Sequence, residues 1–356
     1  MKKIIALLTL LLCLIVSVTA CSSKTAGYDN NGKYIDLHVH LDGAITVDIA
    51  KKLATMQNID IPSDDKELEK LLTVSENCTS LNEFLKCFDF PCSLMQTYDG
   101  LKEAAYLVAE DMSANGVIYA EIRFAPQSHT TKEMTQEDAV KAVLEGLKES
   151  SLKANVILCC KRGEGNEEQN LETVEIAKKY LVEDDGVVAI DLAGAEALFP
   201  TENYRGLFEK AKEYNIPFTI HAGEADGADS VRLAIEYGAA RIGHGVRIFE
   251  DESVVKLVKD KGVYLEMCPT SNRQTAAIKD MKKYPLIDYL SQGIKVTLNT
   301  DDPAIEGTTI SNEFKYMEEQ FGLTSDQKKT IIKNSIEGAF TTDSVKQKLK
   351  KELNID

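Results

Sequence analysis

"IDLHVHLDG", Ile35 to Gly43, begins as an apolar run and ends in two histidines and an aspartate. The chain of 356 residues has five histidines, and two of them, His38 and His40, stand one residue apart here. In a β-strand alternate side chains share a face, so His38, His40 and Asp42 point the same way for as long as the strand persists. Two imidazoles on one face suit a metal, yet two surface histidines at a strand end would give the same letters. The rest of the chain has to decide.

Seven further apolar, β-type runs follow: "GVIYAEIRFAP", "VILCCKR", "GVVAIDLAG", "IPFTIHAGE", "ARIGHG", "VYLEMCPTSN" and "KVTLNTDD". Between them lie stretches with helical periodicity, among them Leu101–Asn115, Gln136–Ser150, Leu171–Val182, Ala228–Tyr237 and Glu252–Lys261. Near-continuous apolar strands alternating with helices predict an α/β fold with a parallel sheet covered by helices. Eight such units in one domain predict a closed (β/α)8 barrel of the TIM type, with an open doubly wound sheet as the alternative.

Polar residues end nearly every run: Arg123, Gly194, His221 and Glu224, His244, Asn272, then Asp301 and Asp302. In a barrel those ends meet at one rim, where active sites of this fold are built. The convergence supplies the further ligands that His38 and His40 would need. A long excursion, Thr46 to Gly116, separates the first two runs and is expected to hold several helices that cover the rim as a lid. Within it, "NEFLKCFDF" carries Phe84, Leu85 and Phe88 at the spacing of one apolar helix face, a pattern that core packing explains equally well.

The first twenty residues stand apart, because Lys2 and Lys3 precede an apolar run from Ile4 to Val18 that ends in small residues, the pattern of a secretory signal. Its end, "VTAC", resembles the bacterial lipoprotein box, which implies cleavage before Cys21 and lipidation of that thiol; an uncleaved anchor is the alternative. The division expected is a signal over 1–20, a polar tether over 21–32 and one barrel domain over 33–356. Without the two signal lysines the chain has 39 basic and 57 acidic residues, a net charge of −18. Such a surface repels phosphate backbones, and no basic run offsets it, so nucleic acid is excluded as a partner. Contact with a membrane is expected only through the lipid, on the extracytoplasmic side, and the letters leave oligomeric state open. Cys78, Cys87, Cys92, Cys159, Cys160 and Cys268 form no compact framework and are expected as buried free thiols.

Read in order, "HVHLDG", "DLAG", "HAGE", "GHG", "CPTSN" and "NTDDP" make a sequence that resembles the adenosine deaminases from about Tyr34 to the C-terminal helices. The H-x-E with P-C-x-x-C pattern of the cytidine-deaminase type is absent. Three imidazoles and a carboxylate suit zinc with a position left open for water. The resemblance implies one zinc per chain held by His38, His40, His221 and Asp301, with His244 taking a proton from water and Glu224 donating one to the purine ring. It further implies substrate contacts from His40, Asp42, Gly194 and Asp302, with Phe84, Leu85 and Phe88 as the lid, and Asp302 counted with the catalytic groups. For Gly194, relief of backbone strain at a strand end accounts for the residue as well as a backbone contact to the purine does. Ala195 departs from the family, where many relatives carry an acid. His129 matches no family role and is read as a surface residue.

The activity so implied is hydrolytic deamination of adenosine, and of 2′-deoxyadenosine, to the inosine form and ammonia in nucleoside salvage outside the cytoplasm. The second reading keeps the metal barrel and changes the substrate, to free adenine or a modified nucleoside; Asp42 matches a ribose contact and so argues against free adenine. A lipoprotein that captures nucleosides without turning them over is the third.

Overall fold

A computed structural model describes residues 27–355 apart from 76. Eight parallel strands appear where the eight apolar runs predict them: β1 (Tyr34–His40), β2 (Val117–Phe124), β3 (Lys153–Lys161), β4 (Val187–Ala193), β5 (Thr219–Ala222), β6 (Arg241–His244), β7 (Tyr264–Met267) and β8 (Lys295–Leu298). They form two four-stranded sheets, β1 to β4 and β5 to β8, each in sequence order. The sheets meet at both edges. Ile190 on β4 pairs with Phe218, just before β5, and Val39 on β1 pairs with Asp301, just after β8. The second seam is tied by His40 N–H to Asp301 O and Asp301 N–H to His38 O, both 2.8 Å. The sheet therefore closes into a TIM-type barrel, which removes the open doubly wound alternative.

Strands buried on both faces need apolar residues at nearly every position, as Leu37, Val39, Ile122, Ile220 and Leu265, each fully buried, illustrate. Helices clad the outside. The helix Tyr98–Ala114 packs along the helix Gln136–Glu149, and a Cβ at Gly146 would stand 2.1 Å from Lys102 O, so only glycine permits that close approach. The stretch Ala228–Tyr237 is a helix with the predicted bounds and ends at Gly238, whose φ of 103° provides the left-handed cap.

Within the excursion between β1 and β2, Tyr98–Ala114 is a barrel helix, and the short elements before it form the lid. Phe84 closes a single α-turn, Leu81–Phe84, while Leu85 and Phe88 lie on a 3-10 turn, Leu85–Phe88, so the three side chains do not sit on one regular α-helix. His129 is not a surface residue: it is fully buried, its Nδ1 is 3.2 Å from Met95 O, and its ring lies beside Phe124. Burial pulls its pKa down to about 4, which keeps the ring neutral. All six cysteines among the described residues are free, but only Cys159, Cys160 and Cys268 are buried. Tyr28 and Asn30, from the end of the stretch read as a tether, pack on the domain, with Tyr28 donating to Leu353 O at 3.0 Å. Residues 1–26, Cys21 with them, lie outside the described part.

Candidate active site

The C-terminal ends of the strands bring His38, His40, His221 and Asp301 together, with one candidate donor atom from each within 4.8 Å of the others. His38 Nε2 is 3.1 Å and His40 Nε2 3.4 Å from Asp301 Oδ1, and His40 Nε2 is 3.2 Å from His221 Nε2. Asp301 has a φ of 70° and His244 a φ of 61°, left-handed conformations that cost non-glycine residues about 1–3 kcal/mol each.

Behind the histidines stands a buried charge network in which acids orient the rings. Glu266 Oε2 is 2.7 Å from His38 Nδ1, and Asp191 Oδ2 is 2.9 Å from His221 Nδ1. Arg123 donates to both acids, at 2.8 Å and 2.7 Å, and to Leu37 O at 2.7 Å. Burial alone would raise the Glu266 carboxyl, but the Arg123 and Arg241 guanidiniums hold it well below the usual range. A carboxylate accepts only, so the facing Nδ1 atoms carry the ring hydrogens.

That assignment tests the site for a metal. With Nδ1 protonated, His38 and His221 turn Nε2 lone pairs toward the Asp301 carboxylate and His40, and His38 Nε2 is a buried atom without a hydrogen-bond donor. Converging lone pairs and a carboxylate repel one another unless a cation lies between them. The donor set, three imidazoles and one carboxylate, is the kind zinc takes.

Glu224 and His244 border this group, with His244 Nε2 3.5 Å from Glu224 Oε2 and 3.7 Å from Asp301 Oδ2. The His244 ring is held from behind, its Nδ1 3.1 Å from Asn272 Nδ2. Glu224 is buried and accepts from Thr275 Oγ1 at 3.0 Å. Burial, then the charges of Asp301 and Glu196, push its pKa up to about 8. Burial also raises Asp302 well above the carboxylate range, with the Asp301 charge adding to it.

A cavity of about 820 Å³ opens over these groups, and His40, Asp42, Gly194 and Asp302 all line it. Asp42 reaches it from a 3-10 turn, Asp42–Ala44, because β1 ends at His40 and the strand alternation does not extend to it. Its Oδ1 and Asp302 Oδ1 are buried without partners, two acceptors free to meet a ligand. Gly194, with a φ of 116°, occupies a conformation that favours glycine. Phe84, Leu85 and Phe88 roof the cavity, the Phe88 ring lying 6.5 Å from that of His40. The sequence reading missed Asp191, Glu266 and Glu196, and Cys92, whose thiol donates to Asp42 Oδ2 at 3.6 Å. An acid inside an otherwise apolar strand, as in "VVAIDLA" and "YLEM", was the available signal for the first two.

The family model described as adenosine deaminase matches residues 34–355. The chain is similar to the adenosine deaminase of Haemophilus ducreyi, 45% identical over 322 residues that cover 88% of this chain and 94% of that protein. It is similar to the adenosine deaminase of Clostridium botulinum strain 657 as well, 41% identical over 323 residues covering 89% and 97%. Among solved structures, the adenine deaminase of Arthrobacter aurescens superposes with a TM-score of 0.81 at 27% identity, over 90% of this chain and 98% of that one.

Proposed function

The chain belongs to the adenosine deaminase family, a family of metal-dependent hydrolases, and from that premise we propose that it converts adenosine and 2′-deoxyadenosine to inosine and 2′-deoxyinosine with release of ammonia. The observation that carries the reading is the convergence of four metal-type donors and one buried glutamate with a raised pKa on a single cavity of about 820 Å³. In this reading one zinc per chain is held by His38, His40, His221 and Asp301. When bound, such an ion would act as a Lewis acid and lower the pKa of a water towards ~7.

The side chains around it supply the rest. Glu224, protonated at neutral pH, gives its proton to the ring nitrogen beside the carbon that bears the amino group. That localises the C=N bond, so water adds at the carbon while His244 takes a proton from the water. The tetrahedral carbon then releases ammonia as His244 returns its proton to the amino group and the hydroxyl proton passes to the Glu224 carboxylate, which leaves the C=O of inosine. Asp302 and the Gly194 backbone N–H hold the purine, and Asp42 meets the ribose. The lid aromatics exclude water from the closed site.

Gly43 keeps Asp302 in place, because a Cβ there would lie 1.8 Å from Asp302 Oδ1. Gly43→Ala is therefore expected to displace that carboxyl and raise KM for adenosine about 10- to 100-fold, the equivalent of leaving one buried hydrogen-bonding group unpaired. Metal content should stay at the parent level. Steady-state kinetics with metal analysis checks both.

The likeness to an adenine deaminase favours free adenine as a second substrate class, whereas the partnerless Asp42 Oδ1 favours a ribose hydroxyl. An ammonia-release assay on adenosine, 2′-deoxyadenosine and adenine decides: kcat/KM is expected to be highest for the nucleosides, and a preference for adenine would overturn the assignment of Asp42.

The exported form is part of the same proposal. Cys21 is lipidated after removal of residues 1–20, and the acyl chains hold an otherwise repelled acidic domain at an extracytoplasmic membrane face for nucleoside salvage. No helix among the described residues is long and apolar enough to cross a membrane. Cys21→Ser should move the protein to the soluble fraction, and a mutant that still pellets with membranes and resists salt would favour an uncleaved anchor.

A further inference from the structure

Glu196 follows β4 in the turn "GAE" and is 1% exposed. Its carboxylate accepts five hydrogen bonds, all from the loop that carries Glu224 and the helix after it. Oε1 takes Gly223 N–H at 2.7 Å and the Ser230 hydroxyl at 2.6 Å. Oε2 takes the N–H groups of Glu224, Ala225 and Asp226 at 3.1, 2.8 and 2.9 Å. Four consecutive backbone amides thus point at one side chain, a loop shape that needs the left-handed Gly223, φ 71°. The loop has no other acceptor for these amides among the described hydrogen bonds, and unpaired they would each carry a desolvation cost. The other end of the turn is tied as well: Arg162 donates to Phe199 O and His221 O, each at 2.7 Å.

We infer that Glu196 is a positioning residue that fixes the Gly223–Asp226 loop and so aims the Glu224 carboxyl into the cavity. This rests on the reading of Glu224 as proton donor. Glu196 touches neither the cavity nor the metal-type donors, so its effect reaches the chemistry only by way of Glu224, through the loop that holds it and through a charge that helps raise its carboxyl. Glutamine cannot replace it, because an amide donates at one end. Whichever way the side chain turns, its NH2 meets either Gly223 N–H or the three amides of Glu224, Ala225 and Asp226.

The test is a double-mutant cycle of Glu196→Gln and Glu224→Gln, read together with hydrogen exchange and metal content. Glu196→Gln should lose exchange protection at residues 223–226, keep its metal, and bind adenosine within about threefold of the parent. Its kcat should fall about 10- to 100-fold, the scale of misplacing a reacting group by about 1 Å. Combined with Glu224→Gln it should add nothing, since a device acting through Glu224 has no effect once that carboxyl is gone. Should Glu196→Gln fail to fold, Glu196→Asp, which retains the acceptors but reaches less far, takes its place in the cycle, with a smaller kcat loss expected. Losses that multiply in the double mutant, or a single mutant with parental kcat, overturn the role of Glu196 and leave Glu224 untouched. If Glu224→Gln itself turns over at the parental rate, the proton-donor reading fails, and the role of Glu196 falls with it.

Discussion

His38→Ala is expected to leave the protein without bound metal and without measurable deaminase activity. In the proposed ligand set His38 supplies one of four donors, and its ring lies against Glu266, itself pinned by Arg123. Alanine removes the donor and also leaves Glu266 Oε2 with one partner fewer in a fully buried place. The three remaining donors do not define a tetrahedral site, and even outer partners of such ligands typically cost about 10–100-fold when lost. The substitution also leaves a buried cavity, so a thermal melt should accompany the metal analysis to show that the barrel is intact. A folded mutant with full metal occupancy would remove His38 from the ligand set.

Glu224→Gln is expected to cost about 10²–10⁴ in kcat, the usual worth of a general acid, with metal and nucleoside binding largely kept. Glutamine matches glutamate in size and can still accept from Thr275, but it holds no proton to give. A carboxyl with a pKa of about 8 starts protonated at neutral pH, and the protonated fraction falls as pH rises through that value. The parent should therefore lose kcat/KM on the alkaline side. A cation in the adjoining ligand set draws the pKa down, placing that limb at or below about pH 8. A mutant within a few-fold of the parent would remove Glu224 from the mechanism.

Much of this fold is legible in the letters because a parallel barrel buries both faces of its strands. "VIYAEIRF" and "VVAIDLA" stand out as apolar runs for that reason, and helices closed by a glycine, such as those ending before Gly238 and Gly262, have readable ends. The helix read from Leu171 starts earlier, at Glu167, because its first turn is polar and carries no periodic signal. The histidines and acids at strand ends were legible one by one. Their pairing with Asp191 and Glu266 was not, since Arg123 meets Asp191 across 68 residues and Glu266 across 143. His129 misled for the opposite reason: a polar loop folded inward to reach Met95 O, and nothing local marks that contact. The lid residues kept their place over the cavity although the helix that the spacing suggested is broken into short turns.

The proposed deaminase activity depends on a metal held by His38, His40, His221 and Asp301. The most direct measurement is ammonia release from adenosine by the purified mature protein, made before chelation, after it, and after zinc is returned, with metal counted at each stage. Turnover should disappear with the metal and return with about one zinc per chain. Turnover that survives complete metal removal, or a fully zinc-loaded protein that binds adenosine and releases no ammonia, would contradict the proposal.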